Sequence, residues 1–314
     1  MIIVNILILG GTGFGGSALV KRLYKNHTIT VLDIIAPKHA YHILDLLENN
    51  EISYIWKSTI DMQLKDIKQQ DIIVDFAAQA DAPMGFSSPI HTAYNNILGI
   101  IHVMECIKQH PPERYIYMGS GTTFGPNKIL PINEISIQCP SNLYSATKTC
   151  AEIIIQSYNQ SDEIPFTILR NGVVYGENMR REVVVAKFII NALSSKPMII
   201  EGGKQSRDFN YISNMIDAIE MVINSPLKKV NYEIFNCSSG TETTIEDLAR
   251  KIINITKSNS KLVYSGYRKG EQNFRQRLDI SKAKEIFGYI PNILLDEGLN
   301  KTISWFKQNL ISTS

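Results

Sequence analysis

The chain has 314 residues, of which 44% are hydrophobic and 20% are charged. This composition lacks the apolar depletion of disordered chains, and the length suffices for one large domain or two modest ones. The 32 basic and 30 acidic residues leave a net charge of +2. Because the two signs are mixed along the chain, we find no basic region of the kind that binds nucleic acid and expect no nucleic-acid partner.

The four cysteines are far apart and form no CxxC pair or Cys/His cluster at metal-ligand spacing; they are Cys106, Cys139, Cys150 and Cys237. We therefore expect free thiols in a reducing compartment and no metal site. The apolar start, Met1 to Leu9, lacks a basic flank and a cleavage site, so it predicts a first strand and not a signal peptide. No apolar run approaches the roughly twenty residues that span a bilayer. These features predict a soluble cytoplasmic protein without a membrane partner.

Up to about Arg170, short β-rich apolar runs alternate with stretches of helical periodicity, which is the pattern of βαβ units and a parallel sheet. The predicted strands are Val4–Leu9, Thr28–Leu32, Ile72–Phe76, Tyr115–Met118 and Phe166–Leu169. Apolar residues at three- and four-residue spacing predict crossover helices at Ile97–Gln109 and Cys150–Asn159. We interpret residues 1–170 as a doubly wound α/β domain.

After Arg170 the pattern loosens into Gly- and Lys-rich loops, with helices predicted at Asn214–Ile223, Ile245–Ile255 and Ser281–Phe287. We interpret residues 171–207 and 239–314 as a smaller α/β domain that binds the substrate, with part of 208–238 returning to the first domain. Two segments, Ala80–Ser88 and Val183–Gly203, are interpreted as loops that shape the substrate site.

A glycine-rich turn follows the first predicted strand. Gly10, Gly13 and Gly16 occupy the first, fourth and seventh positions of Gly10-Gly11-Thr12-Gly13-Phe14-Gly15-Gly16, and a helix is predicted from Ser17 to Tyr24. Missing Cβ atoms let the backbone approach a pyrophosphate, and the start of a helix offers unpaired N–H donors and a positive dipole end. The turn therefore predicts a dinucleotide site.

An acidic residue, Asp33, closes the second predicted strand seventeen residues past Gly16. At this position a carboxylate binds the adenosine ribose hydroxyls and repels a 2′-phosphate, which favours NAD over NADP. An N-cap or turn acid is the alternative interpretation of Asp33. Asp61, near the end of a third strand, is a candidate contact for the adenine, with a solvated loop acid as its alternative.

The segment Tyr144-Ser145-Ala146-Thr147-Lys148 places a tyrosine and a lysine one helical turn apart on one face. A tyrosine has an ordinary pKa near 10, so it acts as a general base near neutrality only if a close cation stabilises the phenolate. Lys148 is predicted to be that cation. Ser120 follows the strand Tyr115–Met118 at the carboxyl edge of the sheet, where ligands of doubly wound sheets bind.

With these motifs, the chain resembles the extended short-chain dehydrogenase/reductases, and within them the NAD-dependent nucleotide-sugar epimerase/dehydratase group. The resemblance extends over nearly the whole chain. Its motifs are the glycine loop, Phe76-Ala77-Ala78-Gln79, Asn96-Ile97-Leu98-Gly99, Ser120 to Gly125, the Tyr144/Lys148 pair after Pro140, and Leu169 to Gly176. It implies a Rossmann-type fold with a smaller C-terminal substrate domain, NAD as cofactor, and a nucleotide-diphosphate sugar as substrate.

The resemblance also implies roles for individual residues. Those it assigns to cofactor binding are Gly10, Gly13, Phe14, Gly16, Asp33, Asp61, Ala77, Ala78, Gln79, Asn96, Tyr144 and Lys148. Those it assigns to the substrate are Ala80, Ser120, Thr122, Asn171, Arg207 and Arg268. The two arginines are expected to hold the diphosphate by charge-assisted hydrogen bonds, and a surface salt bridge is the alternative for each.

The sequence departs from the family pattern at four positions. Asn171 stands where the family often has proline, and Val173 stands where a polar residue often contacts the substrate phosphate. Phe124 replaces the usual tyrosine, and Gly119 stands where serine is frequent. The first two changes concern how the sugar nucleotide is anchored, and the other two remove no catalytic group.

The residues after Ser120 bear on the reaction. Dehydratases of this family resemble one another in carrying acidic residues there, and decarboxylating members carry a glutamate at the position of Thr122, whereas this chain has Gly121-Thr122-Thr123. The pattern most resembles 4-epimerases, in which Tyr144 would take the hydroxyl proton while Ser120 holds the oxygen. Two alternatives remain open: a net 4-dehydrogenase or 4-ketoreductase with the same residues, and a catalytically silent nucleotide-binding protein.

The helices predicted at Ile97–Gln109 and Cys150–Asn159 carry more apolar residues than one buried face requires. A partner subunit would cover the second face. Together with the family resemblance, this predicts a homodimer in which these helices pack as a four-helix bundle.

Overall fold

Runs rich in Ile, Leu and Val form the strands, as in the first strand, Asn-Ile-Leu-Ile-Leu. The structure is a computed structural model that describes residues 3–80, 82–268 and 272–311. The strands are β1 (Asn5–Leu9), β2 (Thr28–Asp33), β3 (Ser53–Trp56), β4 (Ile72–Asp75), β5 (Arg114–Ser120), β6 (Thr167–Asn171), β7 (Val173–Tyr175), β8 (Met198–Glu201), β9 (Ser206–Arg207), β10 (Phe209–Tyr211), β11 (Glu233–Asn236), β12 (Thr243–Thr244) and β13 (Leu262–Ser265).

Helices connect these strands and cover the sheet. They are α1 (Phe14–Leu23), α2 (Leu44–Glu48), α3 (Leu64–Ile67), α4 (Ala82–Ser87), α5 (Pro89–Ala93), α6 (Gly99–Gln109), α7 (Leu143–Asp162), α8 (Val184–Leu193), α9 (Ile212–Asn224), α10 (Leu227–Val230), α11 (Ile245–Thr256), α12 (Ser281–Phe287) and α13 (Leu295–Ile311). A π-helical turn at Tyr94–Leu98 joins α5 to α6.

Seven parallel strands form one sheet in the order β3-β2-β1-β4-β5-β6-β11. Successive side chains of a strand point to opposite faces, so Ile6 and Ile8 pack in the core layer that contains α1 and α9, while Leu7 and Leu9 pack in the layer with α6 and α7. This doubly wound sheet confirms the predicted α/β fold class. The strand order reverses between β1 and β4, the point at which such sheets bind ligands.

The chain after Asn171 builds a smaller α/β part and also returns to the main sheet. In the smaller part, β7 pairs with β10 and β8 with β13, both parallel, and β9 pairs with β12 in the antiparallel direction. Helix α8 packs against α11 and α13. Strand β11 lies beside β6 in the main sheet, and α9 packs against α1. The exact division of the chain into two domains stays a prediction.

Two segments interpreted as loops from the sequence contain helices. Helix α4 lies within Ala80–Ser88, and α8 and β8 lie within Val183–Gly203. Helix α8 has the sequence Val-Val-Ala-Lys-Phe-Ile-Ile-Asn-Ala-Leu, whose nearly continuous apolar character hides the helical period. Two other helices extend beyond their predicted bounds, since α1 begins at Phe14 instead of Ser17, and α7 runs from Leu143 to Asp162.

The described part of the chain contains no helix with the length and apolar character that crossing a membrane requires. Within the same residues there is no group of three or more His, Cys, Asp or Glu side chains that could hold a metal ion. All four cysteines are free thiols.

Candidate active site

A cleft of about 720 Å³ runs along the carboxyl edge of the main sheet. Residues from the ends of β1, β2, β4, β5 and β6 line it, together with side chains of α7, the segment that follows β7, and Met215 of α9. It therefore occupies the edge at which the sequence placed both the dinucleotide site and the catalytic residues.

The glycine loop forms one end of the cleft. Gly10 has a φ angle of +73°, which glycine adopts without strain, and its N–H donates to Leu32 O at 2.9 Å. A Cβ atom on Gly16 would lie 2.3 Å from Gly10 O, so only glycine fits at this crossing. Gly13 is the N-cap of α1, which begins at Phe14, so the unpaired N–H groups of the first helical turn lie at this loop. Gly10, Gly13, Phe14 and Gly16 all line the cleft. This geometry suits the backbone binding of a pyrophosphate, which the sequence predicts for the loop.

Asp33 ends β2 beside the loop. Its carboxylate accepts hydrogen bonds from Thr12 N at 3.0 Å, from Thr12 Oγ1 at 2.6 Å and from Ile35 N at 3.2 Å, and it lines the cleft. The side chain is thus fixed at the place expected for a ribose contact. Asp61 lies on an exposed turn and is not among the residues that line the cleft, whereas its neighbours Ser58 and Thr59 are. Its contact with adenine stays a prediction.

The segment after β4 forms the floor of the cleft. Ala77, Ala78, Gln79 and Ala80 all line it. Asn96 is buried below them and does not line the cleft; its Oδ1 accepts from Gln79 N at 2.7 Å, and its Nδ2 donates to Gln79 O at 3.1 Å and to Thr147 Oγ1 at 3.0 Å. It therefore holds Gln79 in place and ties this segment to α7.

Helix α7 supplies Tyr144 and Lys148. Asn142 starts the helix, and its side chain accepts a hydrogen bond from Ser145 N at 2.9 Å. Lys148 is only 4% exposed, and its Nζ donates to Tyr117 OH at 3.1 Å and to Met118 O at 2.9 Å. Both Tyr144 and Lys148 line the cleft.

Burial favours the neutral form of both side chains, so it shifts their two pKa values in opposite directions. Burial raises the pKa of Tyr144, while a hydrogen bond with Ser120 and the positive charge of Arg180 oppose the rise. Burial also lowers the pKa of Lys148 from 10.5 to about 8, against the carboxylates of Asp75 and Glu152. Lys148 is the cation that the sequence predicts for the phenolate, whereas Arg180 belongs to no motif and is not predicted from the sequence. Arg180 follows β7 in the chain, 36 residues after Tyr144 in sequence, and folding brings both residues to the cleft lining.

Ser120 ends β5, and its hydroxyl points into the cleft. It accepts a hydrogen bond from Thr122 N at 3.2 Å and shares a second with Thr122 Oγ1 at 2.8 Å. Thr123 Oγ1 is buried and donates to Ser120 O at 2.8 Å. Ser120 and Thr122 both line the cleft, as does Asn171, which is paired with Ser120 across β5 and β6.

Two residues assigned to the diphosphate lie outside the cleft lining. The guanidinium of Arg207 stacks 3.9 Å from the centre of the Phe274 ring, and its Nη1 donates to Ser206 O at 2.9 Å. Arg268 forms an ion pair with Glu201. Both belong to the smaller part of the fold, so the structure does not bring them together with Ser120 and Tyr144. Their contact with substrate stays a prediction.

A sequence model of the NAD dependent epimerase/dehydratase family matches residues 6–238, about three quarters of the chain. The chain belongs to this family. The match covers the glycine loop, Ser120, Tyr144 and Lys148, and the family is one of NAD-dependent enzymes. The loop, the helix start and Asp33 fit this cofactor, since they offer backbone donors for a pyrophosphate and a fixed carboxylate at the ribose position.

Several members of this NAD-dependent family are similar to the chain over nearly their full length. A Methanocaldococcus jannaschii protein to which UDP-glucose 4-epimerase activity has been ascribed is 28% identical over 97% of this chain and 99% of its own. Human dTDP-D-glucose 4,6-dehydratase is 27% identical over 97% of this chain and 90% of its own.

Solved structures of two 4-epimerases are also similar to the chain over nearly their full length. The UDP-glucose 4-epimerase of Thermotoga maritima, with UDP-glucose, is 27% identical with a TM-score of 0.89, and the similarity covers 98% of this chain and 99% of that one. The UDP-glucuronic acid 4-epimerase of Bacillus cereus, in complex with UDP-glucuronic acid and NAD, is 25% identical with a TM-score of 0.91 over 97% and 99% of the two chains.

Proposed function

We propose that this protein is a 4-epimerase of nucleotide-diphosphate sugars that works through a transient 4-keto sugar. The observation that carries the proposal is the placement of Ser120, Tyr144 and Lys148 on a cleft lining whose described residues include no carboxylate near them. Asp75 and Glu152, whose charges act on Lys148, are buried and do not line the cleft. Among the described residues of the lining, Asp33 is the sole carboxylate. It ends β2, which β1 and β4 separate from β5, so about 14 Å lie between the two strands.

A dehydratase needs a positioned acid or base to remove water from the oxidised sugar. The oxidation step uses Tyr144 and Lys148, and the described lining offers no carboxylate near Ser120 for this further role, since Thr122 stands there; Asp81 and Glu271 lie outside the described residues. The relatives named as 4-epimerases support the proposal. The human dehydratase is as similar to the chain as these epimerases, so overall sequence identity does not distinguish an epimerase from a dehydratase. The distinction therefore rests on the side chains beside Ser120.

In the proposed reaction Tyr144 takes the proton of the sugar 4-hydroxyl, and the Ser120 hydroxyl holds the same oxygen. Held by the glycine loop and Asp33, NAD would supply hydride transfer: removal of the hydride from the sugar carbon and, once the keto sugar has rotated, its return to the opposite face of the ring. The charge of Arg180 favours the Tyr144 phenolate that this step requires. Lys148, fixed by Met118 O, would contact the nicotinamide ribose and add a second cation.

The remaining assignments follow from this reaction. We propose that the glycine loop holds the pyrophosphate, that Asp33 holds the adenosine ribose, and that Ala77 to Gln79 border the nicotinamide half of the cofactor. The substrate part would comprise residues 171–207 and 239–314. Within it Arg207 and Arg268 would grip the diphosphate, which for Arg268 requires it to exchange its partner Glu201.

The test is to incubate the NAD-loaded protein separately with UDP-glucose, UDP-N-acetylglucosamine and UDP-glucuronic acid, and to follow each sugar by NMR. An epimerase yields the 4-epimer without net NADH. Stoichiometric NADH formation would instead identify a net dehydrogenase. Binding without turnover would mean a catalytically silent nucleotide-binding protein, and absence of binding to all three sugars would mean that the protein takes another class of ligand. Any of these three results would overturn the proposal.

We also propose a homodimer formed by α6 and α7. The two helices pack against each other, and near them Tyr94, Leu98 and Ile153 are about half exposed. Apolar side chains grouped in this way are often covered by a partner. In light scattering the wild type should have twice the mass of the chain, and Ile153→Asp should give a monomer. The matched control Ile290→Asp makes the same change at a similarly exposed isoleucine outside α6 and α7 and should stay dimeric.

A cytoplasmic location is a further proposal. It is supported by the four free cysteines, because thiols persist in reducing compartments. Fractionation of cells that express the protein would test it.

A further inference from the structure

Asn171, the last residue of β6, carries a buried amide group with an unpaired donor. The side chain is 4% exposed, and its Nδ2 has no hydrogen-bond partner in the structure. Within the described residues, five other side chains have buried atoms without a partner: His27, Gln70, Asn231, Asn236 and Gln276. Of the six, Asn171 alone lines the cleft. Buried donors are almost always paired, so an unpaired one at a binding site points to a ligand.

A row of three buried asparagines fixes which way this amide faces. At its far end, Asn214 Oδ1 accepts from Ile293 N at 3.0 Å, and Asn214 Nδ2 donates to Ile293 O at 2.8 Å. Backbone groups cannot exchange these roles, so the Asn214 amide has one orientation. Its Nδ2 then donates to Asn210 Oδ1 at 3.3 Å.

The next amide is fixed in the same way. Asn210 Nδ2 donates to Cys237 O at 3.2 Å and to Asn171 Oδ1 at 2.9 Å. Turning Asn171 around would set its N–H₂ against the N–H₂ of Asn210. Asn171 Oδ1 therefore accepts from Asn210, and the two N–H groups of Asn171 Nδ2 point away from Asn210 and have no partner.

This donor lies next to the catalytic hydroxyl. Asn171 is the register partner of Ser120 in adjacent parallel strands, which lie about 4.8 Å apart, and partners in a ladder point to the same face of the sheet. The Ser120 hydroxyl in turn opposes the rise in the pKa of the Tyr144 phenol that burial causes, and both side chains line the cleft. An oxygen of a sugar held between Ser120 and Tyr144 would therefore lie close to Asn171 Nδ2.

We propose that Asn171 is a substrate-binding residue whose Nδ2 donates a hydrogen bond to an oxygen of the sugar, at or beside the reacting carbon, and that Asn210 orients it. This inference rests on the proposed function. Sites built to pair a buried donor reject analogues that lack the matching oxygen, so Asn171 would also contribute to specificity.

The test is calorimetric binding of UDP-glucose, UDP-N-acetylglucosamine and UDP-glucuronic acid to the NAD-saturated protein. Asn171→Asp keeps an oxygen for Asn210 and replaces the donor by a carboxylate oxygen, so the Kd of the sugar nucleotide should rise by at least about tenfold. Asn171→Ala removes the donor without adding charge and should also weaken binding; it carries the test if the aspartate variant does not fold. The Kd of NAD should change less than about twofold.

Asn127→Asp is the matched control, because it makes the same chemical change in a loop outside the cleft lining and keeps the oxygen that accepts from Ile129 N. Asn210→Asp would place a carboxylate against Asn171 Oδ1 and should weaken the sugar nucleotide as well. If the wild type binds a sugar nucleotide and both Asn171 variants bind it within about twofold, the inference is wrong. If the wild type binds none, the proposed function itself fails.

Discussion

Replacement of Lys148 by methionine should stabilise the cofactor-free protein at neutral pH while abolishing turnover. Burial lowers the pKa of Lys148 from 10.5 to about 8, so holding its charge in the fold at pH 7 costs about 3 kcal/mol relative to the unfolded chain. Methionine is of similar length and removes this cost. It also loses the hydrogen bonds to Tyr117 OH and Met118 O, about 1 kcal/mol each. The variant should therefore gain roughly 1 kcal/mol.

The pH dependence identifies the cause. Between pH 8 and 10.5 the unfolded chain binds the Lys148 proton and the folded protein does not, so the free energy of unfolding of the wild type rises with pH in this range. The methionine variant lacks this rise. Its advantage should shrink above pH 8 and change sign, because the neutral lysine keeps its hydrogen bonds.

Urea unfolding of both proteins at pH 7, 8, 9 and 10 measures this difference. A variant that is less stable than the wild type at pH 7, or two stability curves that run parallel from pH 8 to 10, would refute the reasoning. Loss of turnover in a more stable variant would show that the buried charge serves catalysis at the expense of stability.

Three further predictions concern single side chains. Tyr144→Phe should lower kcat by about 10²- to 10⁴-fold with an unchanged Kd for NAD, since it removes only the proton acceptor; retention of a tenth of the activity would contradict its role. The wild type should bind NAD far more tightly than NADP, and Asp33→Ala should narrow that gap in a titration of both cofactors, because no carboxylate then opposes the 2′-phosphate. Glu152→Gln should lower the free energy of unfolding by about 3 kcal/mol in urea, since it leaves the buried charge of Arg170 unpaired; a loss below 1 kcal/mol would contradict this.

The strands, and the placement of the glycine loop and Asp33 at one end of the cleft, could be predicted because their signals are local. The apolar run of β1, the glycines after it and Asp33 lie within one βαβ unit, and each has a direct backbone or hydrogen-bonding reason. The same holds for Tyr144 and Lys148, which are one turn apart on a helix. Helix α13 was missed although its buried Leu299, Ile303 and Phe306 recur at helical spacing, so the signal was present there.

The substrate side could not be predicted in the same way, because its contacts join distant parts of the chain. Asn171 meets Asn210, 39 residues away, and Asn214 meets the backbone of Ile293, 79 residues away. Nothing in the sequence sets these pairs beside one another. Arg180 likewise acts on Tyr144 only because the segment after β7 lines the same cleft as the start of α7.

Two of the departures from the family pattern are explained by one buried ion pair. Arg170 on β6 contacts Glu152 on α7 at 2.7 Å, one turn beyond Lys148, and both side chains are almost fully buried. A Cβ atom on Gly119 would lie 2.8 Å from Glu152 Oε1, so a serine there would displace the carboxylate. The buried ring of Phe124 lies 4.9 Å from the Arg170 guanidinium, where a tyrosine hydroxyl would need a partner of its own. Gly119 and Phe124 are thus both compatible with the buried ion pair that joins α7 to β6.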